Sequence, residues 1–217
     1  GFTELDVATN DRRVAPARFL GDAPACGSDA DCDLCERCSD AGVCVTGARN
    51  SCERPGPRGA LFRMAGRPRE RPEFTWRPRL KWRWPGGVSS IGFDPIAGDD
   101  LGVCLYWGTL PIMELRVPGG SGGAPNPRGG LLFRARQGEP DGVTSIQIGS
   151  QAFMLDAAGP NVLAARHGFA DPLLSPSGDV TLEVQVHASN GRCFAATYSK
   201  AAMRGRYAGH VRVGKGF

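Results

Sequence analysis

This chain of 217 residues is short of several things, and each shortage excludes something. No apolar run approaches the ~18 residues that a membrane-spanning helix needs, so we expect no membrane insertion by helices. Histidine occurs only at His167, His187 and His210, all well after the cysteine cluster, so that cluster cannot form a Cys/His zinc site of the usual spacing. Lysine supplies three of the 26 cations (Lys81, Lys200 and Lys215), a bias that a GC-rich genome explains without any functional reason. The opening Gly1-Phe2-Thr3 lacks the charged start, apolar centre and small-residue cleavage site of a secretory leader. On that ground the expectation is a mature product whose leader has been removed.

What is plentiful points to strands and turns. Glycine (31) and proline (17) interrupt the chain too often for long helices, while 41% hydrophobic residues suffice for a packed core. The net charge of +4 hides a division. Residues 1–53 hold five arginines against ten acidic residues, a balance of −5. Residues 54–83 hold ten cations against Glu70 and Glu73, a balance of +8, and the remainder is nearly neutral at +1. An acidic head thus precedes a basic belt.

Eight cysteines fall into two even groups: Cys26, Cys32, Cys35, Cys38, Cys44 and Cys52 close together, then Cys104 and Cys193 far apart. Even counts in both groups predict three disulfides within residues 26–52, of open connectivity, and a fourth joining Cys104 to Cys193. That last bridge would close a loop of about ninety residues, worth ~4–5 kcal/mol in the chain-entropy picture. Cys32-x-x-Cys35-x-x-Cys38 has the spacing of an iron–sulfur run but lacks its fourth ligand and following proline. We therefore expect no metal and no cofactor. Asp29, Asp31 and Asp33 lack the glycine and distal glutamate of an EF-hand loop, which leaves a calcium role for them open. A full set of disulfides places the protein in an oxidising compartment, that is, secreted, extracellular or at the cell surface.

Periodicity divides the chain into an extended N-terminal arm (1–25), a Cys-rich disulfide module (26–52), a basic connector rich in Arg, Pro and Gly (53–73) with a short extended piece at 60–62, and a β-sandwich (74–217). Within the sandwich, Phe74, Trp76, Pro78, Leu80, Trp82 and Trp84 alternate with Thr75, Arg77, Arg79, Lys81 and Arg83, which predicts a half-buried strand. Pro78 predicts an edge position or a break. Further strands are expected at 103–107, 112–117, 131–135, 143–148, 152–156, 162–166, 180–187, 192–198 and 211–213, with Asn190-Gly191 as a hairpin turn and 199–204 as a turn or two of helix. The fold class is therefore all-β, an antiparallel β-sandwich preceded by a small disulfide-rich module and an extended arm.

The order of short motifs carries a resemblance. A C-x5-C-x2-C-x2-C-x5-C module is followed by Lys81-Trp82-Arg83-Trp84, Cys104-Leu105-Tyr106, Leu115-Arg116-Val117-Pro118, Pro140-Asp141-Gly142-Val143 and Cys193-Phe194-Ala195-Ala196-Thr197-Tyr198. Over most of residues 26–198 this resembles secreted or surface proteins of GC-rich Gram-negative bacteria with a Cys-rich module before a β-sandwich. That group carries no established activity, so the resemblance implies location and architecture only.

No catalytic constellation stands out, and we expect no enzyme. Ser121 sits in Gly119-Gly120-Ser121-Gly122-Gly123, but Ala124-Pro125-Asn126-Pro127 cannot open the helix that a nucleophile elbow requires. His187 ends a strand whose Leu182, Val184 and Val186 face inward, so it is read as pointing outward beside Gln185, an isolated surface residue. Glu183 and Asp179 share that outer face without a predictable opposed carboxylate for glycoside hydrolysis. The most suggestive surface is the cationic row Arg77, Arg79, Lys81 and Arg83, about 20 Å long at strand spacing. It suits a polyanion such as acidic polysaccharide; the plainer readings are a solvated outer face, and a device that keeps an edge strand from pairing wrongly. Nucleic acid is not expected, because the tryptophans point the other way.

The functional expectation is a structural subunit of an extracellular or cell-surface assembly (filament, pilus-like fibre or coat). Copies would join head-to-tail through the N-terminal arm, with Leu5 and Val7 on a strand at 3–9 that completes a neighbour's sheet. The alternative is a monomeric surface adhesin or carbohydrate-binding module.

Overall fold

A computed structural model of the chain describes residues 23–55, 59–65, 79–85, 98–120, 124–125, 131–134, 142–149, 152–158, 181–199, 203–205 and 210–216. Among the described residues the regular elements are one turn of 3-10 helix (Asp29–Asp31) and fourteen strands. These are β1 (Glu36–Cys38), β2 (Cys44–Thr46), β3 (Ala60–Ala65), β4 (Arg79–Pro85), β5 (Leu101–Trp107), β6 (Leu110–Val117), β7 (Ala124–Pro125), β8 (Leu131–Arg134), β9 (Val143–Ile148), β10 (Ala152–Ala158), β11 (Leu182–Ala188), β12 (Cys193–Tyr198), β13 (Met203–Gly205) and β14 (His210–Gly216). No α-helix occurs among the described residues.

Alternation in β4 sets the frame. Leu80, Trp82 and Trp84 are buried while Arg79, Lys81 and Arg83 are exposed, as period two predicts. β4 sits inside an eight-stranded antiparallel sheet of order β13-β14-β3-β4-β10-β9-β8-β7. A second sheet, β12-β11-β5-β6, packs its apolar face against the first. Between them, Trp82 donates its indole N–H to the Tyr198 hydroxyl at 2.9 Å, and Trp84 stacks at a tilt on Phe194 with centroids 5.0 Å apart. The antiparallel sandwich is thus as the sequence predicts. The Asn190-Gly191 turn joins β11 to β12, with Gly191 at φ 85°, a left-handed conformation that suits glycine.

Three local expectations change. β4 has β3 on one side and β10 on the other, so the described strand Arg79–Pro85 is interior and not at an edge; Pro78 itself lies outside the described residues. Part of the connector is sheet, since β3 pairs with both β4 and β14. Where helix was expected up to residue 204, Met203–Gly205 pairs with β14 as a strand, because a ladder partner outweighs a weak local preference. Trp76 and residues 162–166 lie outside the described residues.

The disulfide module forms a third layer. Every residue from Leu101 to Tyr106 is buried: Leu101, Val103 and Leu105 face the sandwich core, whereas Cys104 and Tyr106 lie under the module. Gly102 has no side chain where Leu34 presses down; a Cβ there would stand 2.9 Å from the Leu34 Cβ. Residue 53 adds a parallel bridge to the edge of β12, with Glu53 N–H donating to Cys193 C=O and Ala195 N–H to Glu53 C=O, both at 2.9 Å.

All eight cysteines are paired, but not as expected. Cys26–Cys38 and Cys32–Cys44 stay within the module, whereas Cys35 bonds Cys104 and Cys52 bonds Cys193. The predicted Cys104–Cys193 bridge is geometrically closed off. Cys193 opposes His187, which opposes Gly102, so β11 lies between the two cysteines and holds their strands about 10 Å apart, beyond disulfide reach. Both point to the outer face of their sheet, where the module brings its own cysteines.

Candidate anion-binding face and the polar seam under the module

Beneath the module runs a buried polar seam built on β11. Gln185 and His187 do lie on the outer side of that strand, but they face the module and not water, and both are fully buried. This corrects the reading of His187 as a surface residue. The Gln185 amide accepts the Arg49 N–H at 2.9 Å and donates to the Arg49 carbonyl and a Glu183 carboxylate oxygen, each at 2.8 Å. His187 Nδ1 accepts the Cys35 N–H at 3.0 Å, so the ring proton sits on Nε2 and goes to Gln185 Oε1 at 2.7 Å. Burial, with Arg49 adding to it, pushes the His187 pKa down to about 3. A neutral imidazole with both nitrogens engaged and no solvent access is a structural group.

Arg49 is the other buried polar member. Its guanidinium donates to the carbonyls of Glu36 (2.7 Å), Cys32 (3.1 Å) and Asp33 (2.9 Å), tying the module's turns together, and its burial lowers its pKa. Tyr106 donates to the Cys35 carbonyl at 3.0 Å, and burial raises its pKa. Arg54 closes the rim with an ion pair to Glu183 at 2.9 Å and a hydrogen bond to Thr197. Part of the signal for this seam lies in the sequence: Gln185 and His187 share one face of one strand, as Cys104 and Tyr106 share one face of another, both unusual pairs for a wet surface.

Asp29, Asp31 and Asp33 of the module have separate structural tasks. Asp29 accepts from Cys38 N–H and Ser51 Oγ. Asp31 accepts from the backbone of Gly27 and Ser28, which holds its pKa below the ordinary value. Asp33 pairs with Arg116. The sulfurs of Cys26, Cys32 and Cys44 gather within 4.8 Å of one another, but all are spent in the two local disulfides.

The opposite side of the molecule is cationic. The outer face of the eight-stranded sheet exposes Arg63 on β3, Arg79, Lys81 and Arg83 on β4, and Arg134 on β8. Only Lys81 has an acidic partner among the described residues, Asp156 at 2.8 Å. Cross-strand register lines up Arg63, Lys81, Asp156, Ser145 and Arg134 as successive partners across five strands. On the backbone the same register continues to Arg212 and Arg204. The cationic row is therefore two-dimensional: Arg79, Lys81 and Arg83 along β4, crossed by a row perpendicular to it. Single-sequence reading found the first and missed the second, because strand order is not a local property.

Charge is divided between the two sides. In the described segments the module and four-stranded sheet carry ten acidic and five basic residues (−5), the eight-stranded sheet eight basic and one acidic (+7). Arg77, Leu5, Val7, Ser121 and His167 lie outside the described residues. No protein-family model matches the chain, and no curated protein and no solved structure is significantly similar to it.

Proposed function

We propose that this chain is a non-catalytic extracellular protein that holds an anionic macromolecule on the outer face of its eight-stranded sheet. The observation that carries this is the set of four exposed arginines, Arg63, Arg79, Arg83 and Arg134, on one sheet face with no acidic partner among the described residues. Because β4 is an interior strand, its cations do not guard an edge, which removes one of the alternative uses for them. Exposed guanidiniums on a rigid sheet recruit carboxylates, sulfates or phosphates by bidentate hydrogen bonds and long-range attraction. Four disulfides and the want of a long apolar helix among the described residues fit a secreted or cell-surface location. The test is retention on a sulfated or carboxylated matrix. The native protein is retained and elutes with salt, and Arg63→Gln/Arg83→Gln/Arg134→Gln passes through. Equal retention of both overturns the reading.

The charge division supports a second reading, a structural subunit of an extracellular assembly joined head-to-tail. An acidic balance of −5 on the module side and four exposed arginines on the outer face of the eight-stranded sheet are complementary between copies, and such heterologous contact propagates as an open fibre. An arm strand at 3–9 added to a neighbour's sheet would strengthen it. Sedimentation velocity at low and high salt, with and without residues 1–20, tests this. Salt-sensitive growth that needs the arm supports it, and a monomer under all conditions overturns it.

A further inference from the structure

We infer that the ligand of this face is a linear acidic polysaccharide whose carboxylates are separated by neutral, hydroxyl-bearing sugars, lying across the strands over Arg63, Lys81, Asp156, Ser145 and Arg134. This rests on the reading of the face as an anion-binding surface and adds the ligand's class and direction.

The spacing of the row carries the inference. Successive register partners stand one strand spacing apart, ~4.8 Å, comparable to the length of one sugar in an extended chain. Among the described residues, the cations of these five positions without an acidic partner are Arg63 and Arg134, four spacings or ~19 Å apart. Between them Lys81 is neutralised by Asp156, whose second oxygen accepts from Ser145 Oγ at 3.3 Å. The middle of the row is thus an ion pair beside a hydroxyl, a surface that exchanges hydrogen bonds with sugar hydroxyls and has no net charge for an anion. Arg79 and Arg83 flank Lys81 on β4, ~7 Å away on either side, and broaden the positive end.

Asp156 is the discriminating residue. A polymer with an anion on every unit, such as a polyphosphate, a nucleic acid or a heavily sulfated glycan, must place one against its carboxylate. A polymer with spaced carboxylates sets them on Arg63 and Arg134 and lays its neutral units over Asp156 and Ser145. Nucleic acid also wants stacking rings, and Trp82 and Trp84 are turned into the core.

The experiment is affinity electrophoresis or calorimetry of the full chain with three polymers. One carries a uronate on every fourth sugar with neutral sugars between, one is fully sulfated, and one is neutral dextran. The spaced polymer should bind most tightly per unit charge, and dextran not at all. Arg63→Gln and Arg134→Gln should each weaken it about tenfold, the loss expected for one charge-assisted contact, with thermal melting unchanged. Asp156→Asn should weaken the spaced polymer and strengthen the sulfated one. If the sulfated polymer binds as well as the spaced one, or Asp156→Asn moves both in the same direction, this inference is overturned and the anion-binding face stands. Binding of none of the polymers overturns both.

Discussion

Gln185 and Arg49, 136 residues apart in sequence, pair as two strands would: Arg49 N–H donates to Gln185 Oε1 and Gln185 Nε2–H donates to the Arg49 carbonyl. A side-chain amide here stands in for a peptide group. The module offers one peptide to the sheet face, and only a group with a donor and an acceptor side by side satisfies both its atoms. The remaining capacity of the amide goes to His187 and Glu183, so every polar atom of Gln185 is used. Replacement by Leu or Ala would leave a buried N–H, a carbonyl and an imidazole N–H unpaired, so Gln185→Ala is expected to cost ~2–4 kcal/mol. Denaturant unfolding measures it, and amide exchange at Arg49 should accelerate in parallel. Native-like exchange at Arg49 would show that the pairing is not holding the module.

The seam makes stability pH-dependent in a definite direction. His187 is neutral in the folded state down to about pH 3, against an ordinary value of 6.5. The unfolded chain takes up this proton below pH 6.5 while the folded chain refuses it. Its contribution is complete above pH 6.5 and falls away between pH 6.5 and 3, at up to ~1.4 kcal/mol per pH unit. Unfolding free energies at pH 7, 5.5 and 4 should decline accordingly, and less steeply in His187→Gln. Identical slopes in the two proteins would remove His187 as the cause.

Peptide mapping of the unreduced protein should return Cys35 linked to Cys104 and Cys52 linked to Cys193. Each bridge spans a long sequence separation, 69 and 141 residues, so removing either pair by Cys→Ser should cost ~4–5 kcal/mol on chain-entropy grounds. Recovery of a Cys104–Cys193 peptide would contradict the layered arrangement as a whole.

The module's seat on β5 depends on an empty position. Gly102→Ala sets a methyl 2.9 Å from the Leu34 Cβ, so a loss of ~1–3 kcal/mol is expected; Leu34→Gly removes that Cβ, so the double variant should lose less than the sum of the two single ones. A fully additive double variant would mean that the two residues are not in contact.

What the sequence determined by itself is the local part of this structure. Which face of 79–85 is buried, where 190–191 turns and how far 143–148 runs all follow from alternation and turn chemistry. Those properties act over a few residues and do not depend on what lies next door. Tertiary structure decided which outer faces meet water. The outward side chains of β11 and of β4 are set by the same alternation, yet Gln185 and His187 are buried while Arg79, Lys81 and Arg83 are exposed. The difference is the disulfide module, which has too little apolar mass for a core of its own and completes its burial on the four-stranded sheet. The same layering redirected Cys104 and Cys193 to Cys35 and Cys52, and strand order set Arg63 and Arg134 in one row with Lys81. Partners of this kind are chosen by which surfaces come to lie against each other in space, and neither spacing nor period along the chain encodes that choice.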